Sequence, residues 1–128
     1  MNKNLISIKK SFKSLAFALN GLRIVFQEQN NARIHVLVAL IVIIAGVLLK
    51  NSAGEWIAIC FAIGMVLMSE IINSAIEYVA DFVSPNDHPL IKKVKDLSAG
   101  AVLISAITAI IIGIIIYLSK IIYLCSRY

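Results

Sequence analysis

Five polar residues stand in a stretch that is otherwise apolar: Glu70, Asn73, Ser74, Glu77 and Asp81. At about 100° per residue they fall near 0°, 300°, 40°, 340° and 20° on a helical wheel, so one side of a helix carries all five. Ile72, Ile76 and Val79 occupy the other side. Carboxylates near a membrane are costly, roughly 2.5–3.5 kcal/mol for an aspartate at a helix centre. A cation, a basic partner or water in a cleft must offset that cost. One reading is a divalent metal site with a general base beside it. Oxygen ligands suit Mg²⁺, which is commonly held by one or two carboxylates together with substrate phosphates. Lys92, Lys93 and Lys95 follow closely and would meet phosphate oxygens. The bland readings are hydrogen bonding between helices for the stripe and membrane orientation for the lysines.

The elements that must position these residues follow from composition. The chain has 128 residues, 60% hydrophobic and 15% charged, with a mean hydropathy of +0.92. A soluble domain is nearer about 45–50% apolar and 25% charged, and a fold this small has too few polar side chains to cover its surface. These figures exclude a water-soluble monomer and indicate an all-α membrane protein. A net charge of +5 usually raises nucleic acid as a partner, but the apolar excess directs it to an anionic lipid surface instead. Cys60 and Cys125 lie in or beside apolar segments, so neither a disulfide framework nor a zinc site is expected.

Residues 36–49, 56–69 and 97–119 are free of charge, and the last is long enough to span a bilayer outright. The first extends backwards through Ile34 and His35, with Arg33 reaching toward headgroups. The second extends only by taking Glu70, Asn73 and Glu77 to the membrane boundary. The expected spans are therefore about 33–50, 55–81 and 96–120 within a single domain, 1–128. Before them, Ile8, Phe12, Leu15, Leu19, Leu22 and Phe26 form one stripe of a helix over 1–30. With Lys9, Lys10 and Lys13 off that stripe, it reads as an amphipathic helix lying in the interface; docking on the bundle is the other reading, and the two are compatible. Residues 50–55 suit a tight turn, and 84–95 reads as a polar loop with Pro85 and Pro89. Nine of the twelve Lys and Arg residues lie in the N-terminal segment and the 84–95 loop, which places both on the cytoplasmic side. Three short spans cannot bury the polar stripe well alone, so burial between protomers is expected. No Gly-rich phosphate loop or protein-kinase signature is present. His35 and His88 are too far apart in sequence to argue a metal pair, and His35 is placed at an interface.

The segment E-I-I-N-S-A-I-E-Y-V-A-D at 70–81 resembles the signature of the prokaryotic diacylglycerol kinase family, and so does K-D-L-S-A-G-A-V-L-I at 95–104. The basic amphipathic start, G-L-R at 21–23 and the order of spans and loops extend the resemblance over nearly the whole chain. It implies a homotrimeric, ATP- and Mg²⁺-dependent kinase of a membrane lipid alcohol, diacylglycerol or undecaprenol, in the bacterial cytoplasmic membrane with a cytoplasmic N-terminus. Composite sites would lie between subunits at the cytoplasmic surface. By the resemblance, Glu70 is the general base on the lipid hydroxyl, Asn73 supports it, and Glu77 holds Mg²⁺ with the nucleotide phosphates. Lys95 and Asp96 contact the nucleotide, as do Asn86, Asp87 and His88 and, on the surface helix, Lys10, Phe17 and Gln29. Arg23 lies near the lipid headgroup.

The family usually has a metal-binding glutamate where this chain has Gln29, and Glu28 stands one residue earlier. One residue turns a helical side chain by about 100°, so Glu28 substitutes only if the helix breaks there, as Gln29-Asn30-Asn31 favours. Phe17 stands where tyrosine is frequent. The alternative from another class is a small non-enzymatic oligomeric membrane protein, an ion pathway or assembly subunit, with a carboxylate-lined path. An ion path requires polar residues through the full membrane thickness, whereas here they gather at one end of the second span.

Overall fold

In the computed structural model the chain forms four helices, α1 (Ile8–Glu28), α2 (Asn30–Leu48), α3 (Ala53–Val83) and α4 (Pro89–Cys125). The structure describes residues 8–84, 86 and 88–126, with side chains from Lys10 onward. Asp87, Arg127 and the side chain of Ile8 lie outside the described residues. The helices α2, α3 and α4 are long and apolar enough to cross a membrane. Hydrocarbon offers no partner for backbone N–H and C=O groups, and a helix satisfies them within the segment. Leu40, Ile41, Ile44, Ile104, Ile107 and Ile115 remain exposed on the helix surfaces, as lipid contact requires.

The α2–α3 turn is tightly determined. Lys50 takes a positive φ of 51°. Ser52 opens α3 with a capping box, its N–H donating to Glu55 Oε2 at 2.6 Å while its Oγ accepts from the Glu55 N–H at 3.4 Å. Lys120 of α4 reaches this end, with Nζ 2.9 Å from Glu55 Oε2 and also donating to Leu49 O. Gly46 lets the helices close here, since a Cβ on it would lie 2.8 Å from Asn51 Nδ2 and 2.9 Å from Trp56 Cη2.

With that end tied, length decides what happens at the other. The 31 residues of α3 and 37 of α4 reach about 46 and 55 Å, against about 30 Å of hydrocarbon. Measured from Ala53, Glu70 lies about 26 Å along the axis, Glu77 about 36 Å and Asp81 about 42 Å. Measured from the tied end, the polar stripe therefore extends past the length of helix that hydrocarbon covers.

The structure bears on four expectations. The polar loop expected over 84–95 is shorter, because Pro89 is the first residue of α4 and Lys92, Lys93 and Lys95 lie on the helix. Proline's fixed φ suits that position and its missing N–H costs nothing there. Exposed Arg33 also ties α1 to α2; its Nε donates to Phe26 O at 2.8 Å and its Nη2 to Gln27 O. It thereby closes the unpaired carbonyls at the end of α1. The surface helix meets the bundle only near its C-terminal end, where Val25 is buried, while Phe12, Leu15 and Leu19 stay exposed; the docked-helix reading fails for the rest of its length. Finally, three of the five stripe residues are buried within the single chain, while Glu77 is half-buried and Asp81 exposed. Glu70 is 2% exposed, Ser74 1% and Asn73 7% within this single chain, because α4 presents Ser98 and Ser105 to α3.

Candidate active site

The site is built on the face of α3 that packs against α4. Ser69 and Ser105 share a 2.7 Å hydrogen bond, and one to two turns further along Ser98 Oγ donates to Asn73 Oδ1 at 2.6 Å. With its oxygen so engaged, Asn73 presents Nδ2 to Glu77 Oε1 at 3.0 Å. Ser98, Asn73 and Glu77 thus form a directed chain whose last member is half-buried. Ser74 Oγ folds back onto Glu70 O at 2.9 Å. The Glu70 side chain is buried, and its Oε2 has no hydrogen-bond partner among the described residues. His35 of α2 approaches it, with Nε2 4.0 Å from Oε2.

Asp81 ends the stripe in an ion pair with Lys95 Nζ. Beyond it a cavity of about 660 Å³ opens between the end of α3 and the start of α4, lined by Asp81, Ser84, Asn86, His88, Lys92, Lys95 and Asp96. Four expected nucleotide contacts, Asn86, His88, Lys95 and Asp96, therefore share one cavity. His88 has a second duty as the N-cap of α4, its Nδ1 accepting from the Leu90 N–H at 3.2 Å. The N-terminal end of α4 adds a positive dipole end beside the lysines, a setting that favours anions.

Other expected residues stand elsewhere. Lys10, Phe17 and Arg23 are exposed on α1 and do not line the cavity. Lys13 Nζ sits 5.8 Å from the Phe17 ring centroid, within cation–π range. The helix does break at Gln29, whose φ of −102° and ψ of 113° are extended. That break turns Glu28 toward α3, where its Oε2 accepts from Tyr78 Oη at 2.6 Å. Among the described residues no three His, Cys, Asp or Glu side chains gather as a self-sufficient metal site. The donor set instead fits Mg²⁺ bound with phosphates. Glu77 contributes a carboxylate that Asn73 engages only at Oε1, and Glu28 is one helix face away on Tyr78.

Sequence reasoning missed three contributors. Ser98 orients Asn73, Tyr78 holds Glu28, and His35 faces Glu70. His35 carried a usable signal, since a titratable group inside a span is a functional candidate by default. Ser98 and Ser105 recur seven residues apart in an apolar run, the spacing of one helix face.

Three spans, an amphipathic helix and a carboxylate line ending at a polar cavity define an integral membrane protein with a charged site at the end of its second span. The family model described as prokaryotic diacylglycerol kinase matches residues 16–117, and the chain belongs to that family. It is 36% identical over 113 residues to an undecaprenol kinase of Bacillus subtilis, covering 88% of this chain and 92% of the relative. A diacylglycerol kinase of Helicobacter pylori is 34% identical over 99 residues, 77% of each chain. A diacylglycerol kinase of Escherichia coli is 28% identical over 111 residues, 87% of this chain and 91% of the relative. The chain is accordingly a multi-pass membrane lipid kinase, a phosphotransferase with an alcohol group as acceptor.

Proposed function

We propose that the chain transfers the γ-phosphoryl group of ATP, with Mg²⁺, to the hydroxyl of a membrane lipid alcohol at the cytoplasmic boundary, as a single domain working in a homotrimer. The observation that carries this reading is the continuous polar line from buried Glu70, through Asn73 and Glu77, to the cavity containing Lys92 and Lys95. An acceptor arriving laterally in the bilayer meets Glu70 near the hydrocarbon boundary, and a nucleotide arriving from water meets the lysines and the start of α4. The excess of Lys and Arg at this end supports its cytoplasmic orientation. The trimer rests on the family resemblance alone.

Phosphoryl transfer asks for alignment and charge neutralisation rather than covalent catalysis. Glu70 accepts the proton of the lipid hydroxyl as that oxygen attacks the γ-phosphorus. Asn73, held by Ser98, sets the direction of the Glu77 carboxylate. Glu77, with Glu28, would hold Mg²⁺, which when bound neutralises charge on the phosphate oxygens. Lys95, Asp96, Asn86, Asp87 and His88 receive the nucleotide, Lys10, Phe17 and Gln29 contribute from the α1 side, and Arg23 lies at the lipid headgroup. The relatives' names supply two acceptors, diacylglycerol and undecaprenol, both within the proposed class.

The test uses purified full-length protein in lipid vesicles with Mg²⁺ and ATP, and parallel arms containing diacylglycerol or undecaprenol. Phosphorylated lipid in either arm, lost in Glu70→Gln and in Glu77→Gln, is the expected result. Turnover that survives either substitution removes the corresponding role. A folded preparation inactive on both lipids overturns the proposed acceptor class.

A further inference from the structure

Glu70 is nine-tenths or more buried, yet its Oε2 has no hydrogen-bond partner among the described residues. A buried carboxylate oxygen without a donor is costly, and native structures supply one from protein or from a bound molecule. His35 Nε2 lies 4.0 Å from that oxygen, about 1 Å too far for a direct hydrogen bond. The gap instead matches one interposed oxygen. With both contacts near 2.8 Å, the angle subtended at that oxygen is about 90°, within reach of a hydroxyl that donates to one side and accepts from the other. His35 also forms one end of an apolar cleft of about 360 Å³ between α2, α3 and α4, whose walls include Ala39, Val42, Ala62 and Gly113. An alcohol carried on hydrocarbon in that cleft can therefore reach His35 without crossing a polar surface.

We propose that His35 and Glu70 together form the seat of the acceptor hydroxyl, His35 orienting its oxygen and Glu70 taking its proton. This deepens the preceding proposal and rests on Glu70 being the base. The hydroxyl donates to Glu70 Oε2 and accepts from His35 Nε2–H, which both the Nε2 tautomer and the imidazolium provide. In the transfer the acceptor O–H bond breaks and its proton passes to the Glu70 carboxylate. The oxygen forms the new O–P bond, the bond from the γ-phosphorus to the bridging oxygen breaks, and the nucleoside diphosphate leaves with that electron pair. His35 keeps its proton and directs the oxygen's remaining lone pair toward phosphorus. Among described side chains, Glu77 on α3 is the other charged group near Glu70, and between Asp96 and Tyr117 α4 has no titratable residue.

The experiment is lipid kinase kinetics in vesicles for His35→Leu, His35→Gln, His35→Asn, Glu70→Gln and the His35→Leu/Glu70→Gln pair. His35→Leu retains bulk in the apolar cleft but removes the donor. It should lower kcat/KM for the lipid at least tenfold while leaving the nucleotide KM within twofold. Glutamine, whose amide N–H reaches as far as Nε2, should restore activity to within threefold of wild type. Asparagine, one methylene shorter, should not. In the Glu70→Gln background, His35→Leu should add less than a twofold further loss. Wild-type kinetics in His35→Leu, or glutamine and asparagine behaving alike, overturns the seat even when Glu70→Gln is inactive and the base stands. Full activity of Glu70→Gln overturns the base and the seat with it. If His35→Leu does not fold, the glutamine and asparagine variants decide the matter alone.

Discussion

Ser98→Ala tests whether the Asn73–Glu77 arrangement is imposed by α4. Ser98 has one hydroxyl proton and two acceptors in reach, Asn73 Oδ1 at 2.6 Å and Lys95 O at 2.9 Å. The helical carbonyl has a backbone donor available to it, whereas Asn73 Oδ1 depends on Ser98 alone among the described residues. Removing the hydroxyl therefore leaves a buried acceptor unpaired, a penalty of about 1–3 kcal/mol in water-soluble proteins. Coupling between polar pairs in membrane helices is smaller, roughly 0.6 kcal/mol on average and about 1.7 at most. A value near 1 kcal/mol is expected here, or about fivefold in the population of the amide orientation that serves Glu77. The assay is vesicle kinetics with varied Mg²⁺–ATP, together with thermal unfolding in detergent, across Ser98→Ala, Asn73→Ala and the double variant. Ser98→Ala should cut kcat/KM for the nucleotide severalfold, and the cycle should show coupling near 1 kcal/mol. Coupling below about 0.3 kcal/mol, with both single variants folded, would refute the orientation argument.

Two further outcomes follow from the geometry. Gly46→Ala places a Cβ 2.8 Å from Asn51 Nδ2 and 3.1 Å from Tyr117 Oη; it should lower stability by about 1–3 kcal/mol, read by thermal unfolding, while activity below the transition is unchanged because the clash lies at the end opposite the site. Glu28→Ala should raise the Mg²⁺ concentration needed for half-maximal activity severalfold, and Tyr78→Phe, which releases Glu28 Oε2 from its 2.6 Å bond, by less than twofold. A magnesium titration checks both, and unchanged dependence in Glu28→Ala means that Glu77 and the phosphates suffice.

Much of the site was legible because helical periodicity is a local property. Glu70, Asn73, Ser74, Glu77 and Asp81 share a face whatever packs against it. The break at Gln29 was readable from three successive amide side chains that compete with the backbone for hydrogen bonds. Pro89 misled, since proline punctuates loops but also suits the first position of a helix, and nothing local distinguishes the two. The contribution of α4 to the burial of Glu70, Asn73 and Ser74 was not legible for a different reason. Whether Ser98 and Ser105 face α3 depends on the rotation of α4 about its axis, which its nearly uniform apolar surface does not reveal.

By itself the sequence determined three spans, a basic amphipathic first helix and a polar stripe on one face of the second span, because composition and periodicity act within single segments; the lipid kinase family was legible from the motifs at 70–81 and 95–104. Tertiary structure decided the contacts that cross segments. It brings Ser98 to Asn73 across 25 positions, Glu28 to Tyr78 across 50 and His35 to Glu70, and it gathers Asn86, His88, Lys95 and Asp96 around one cavity. Those juxtapositions depend on the helix rotations and offsets set by side-chain packing and by the tied α2–α3 end. Each is a property of pairs of helices, to which no single segment's pattern corresponds.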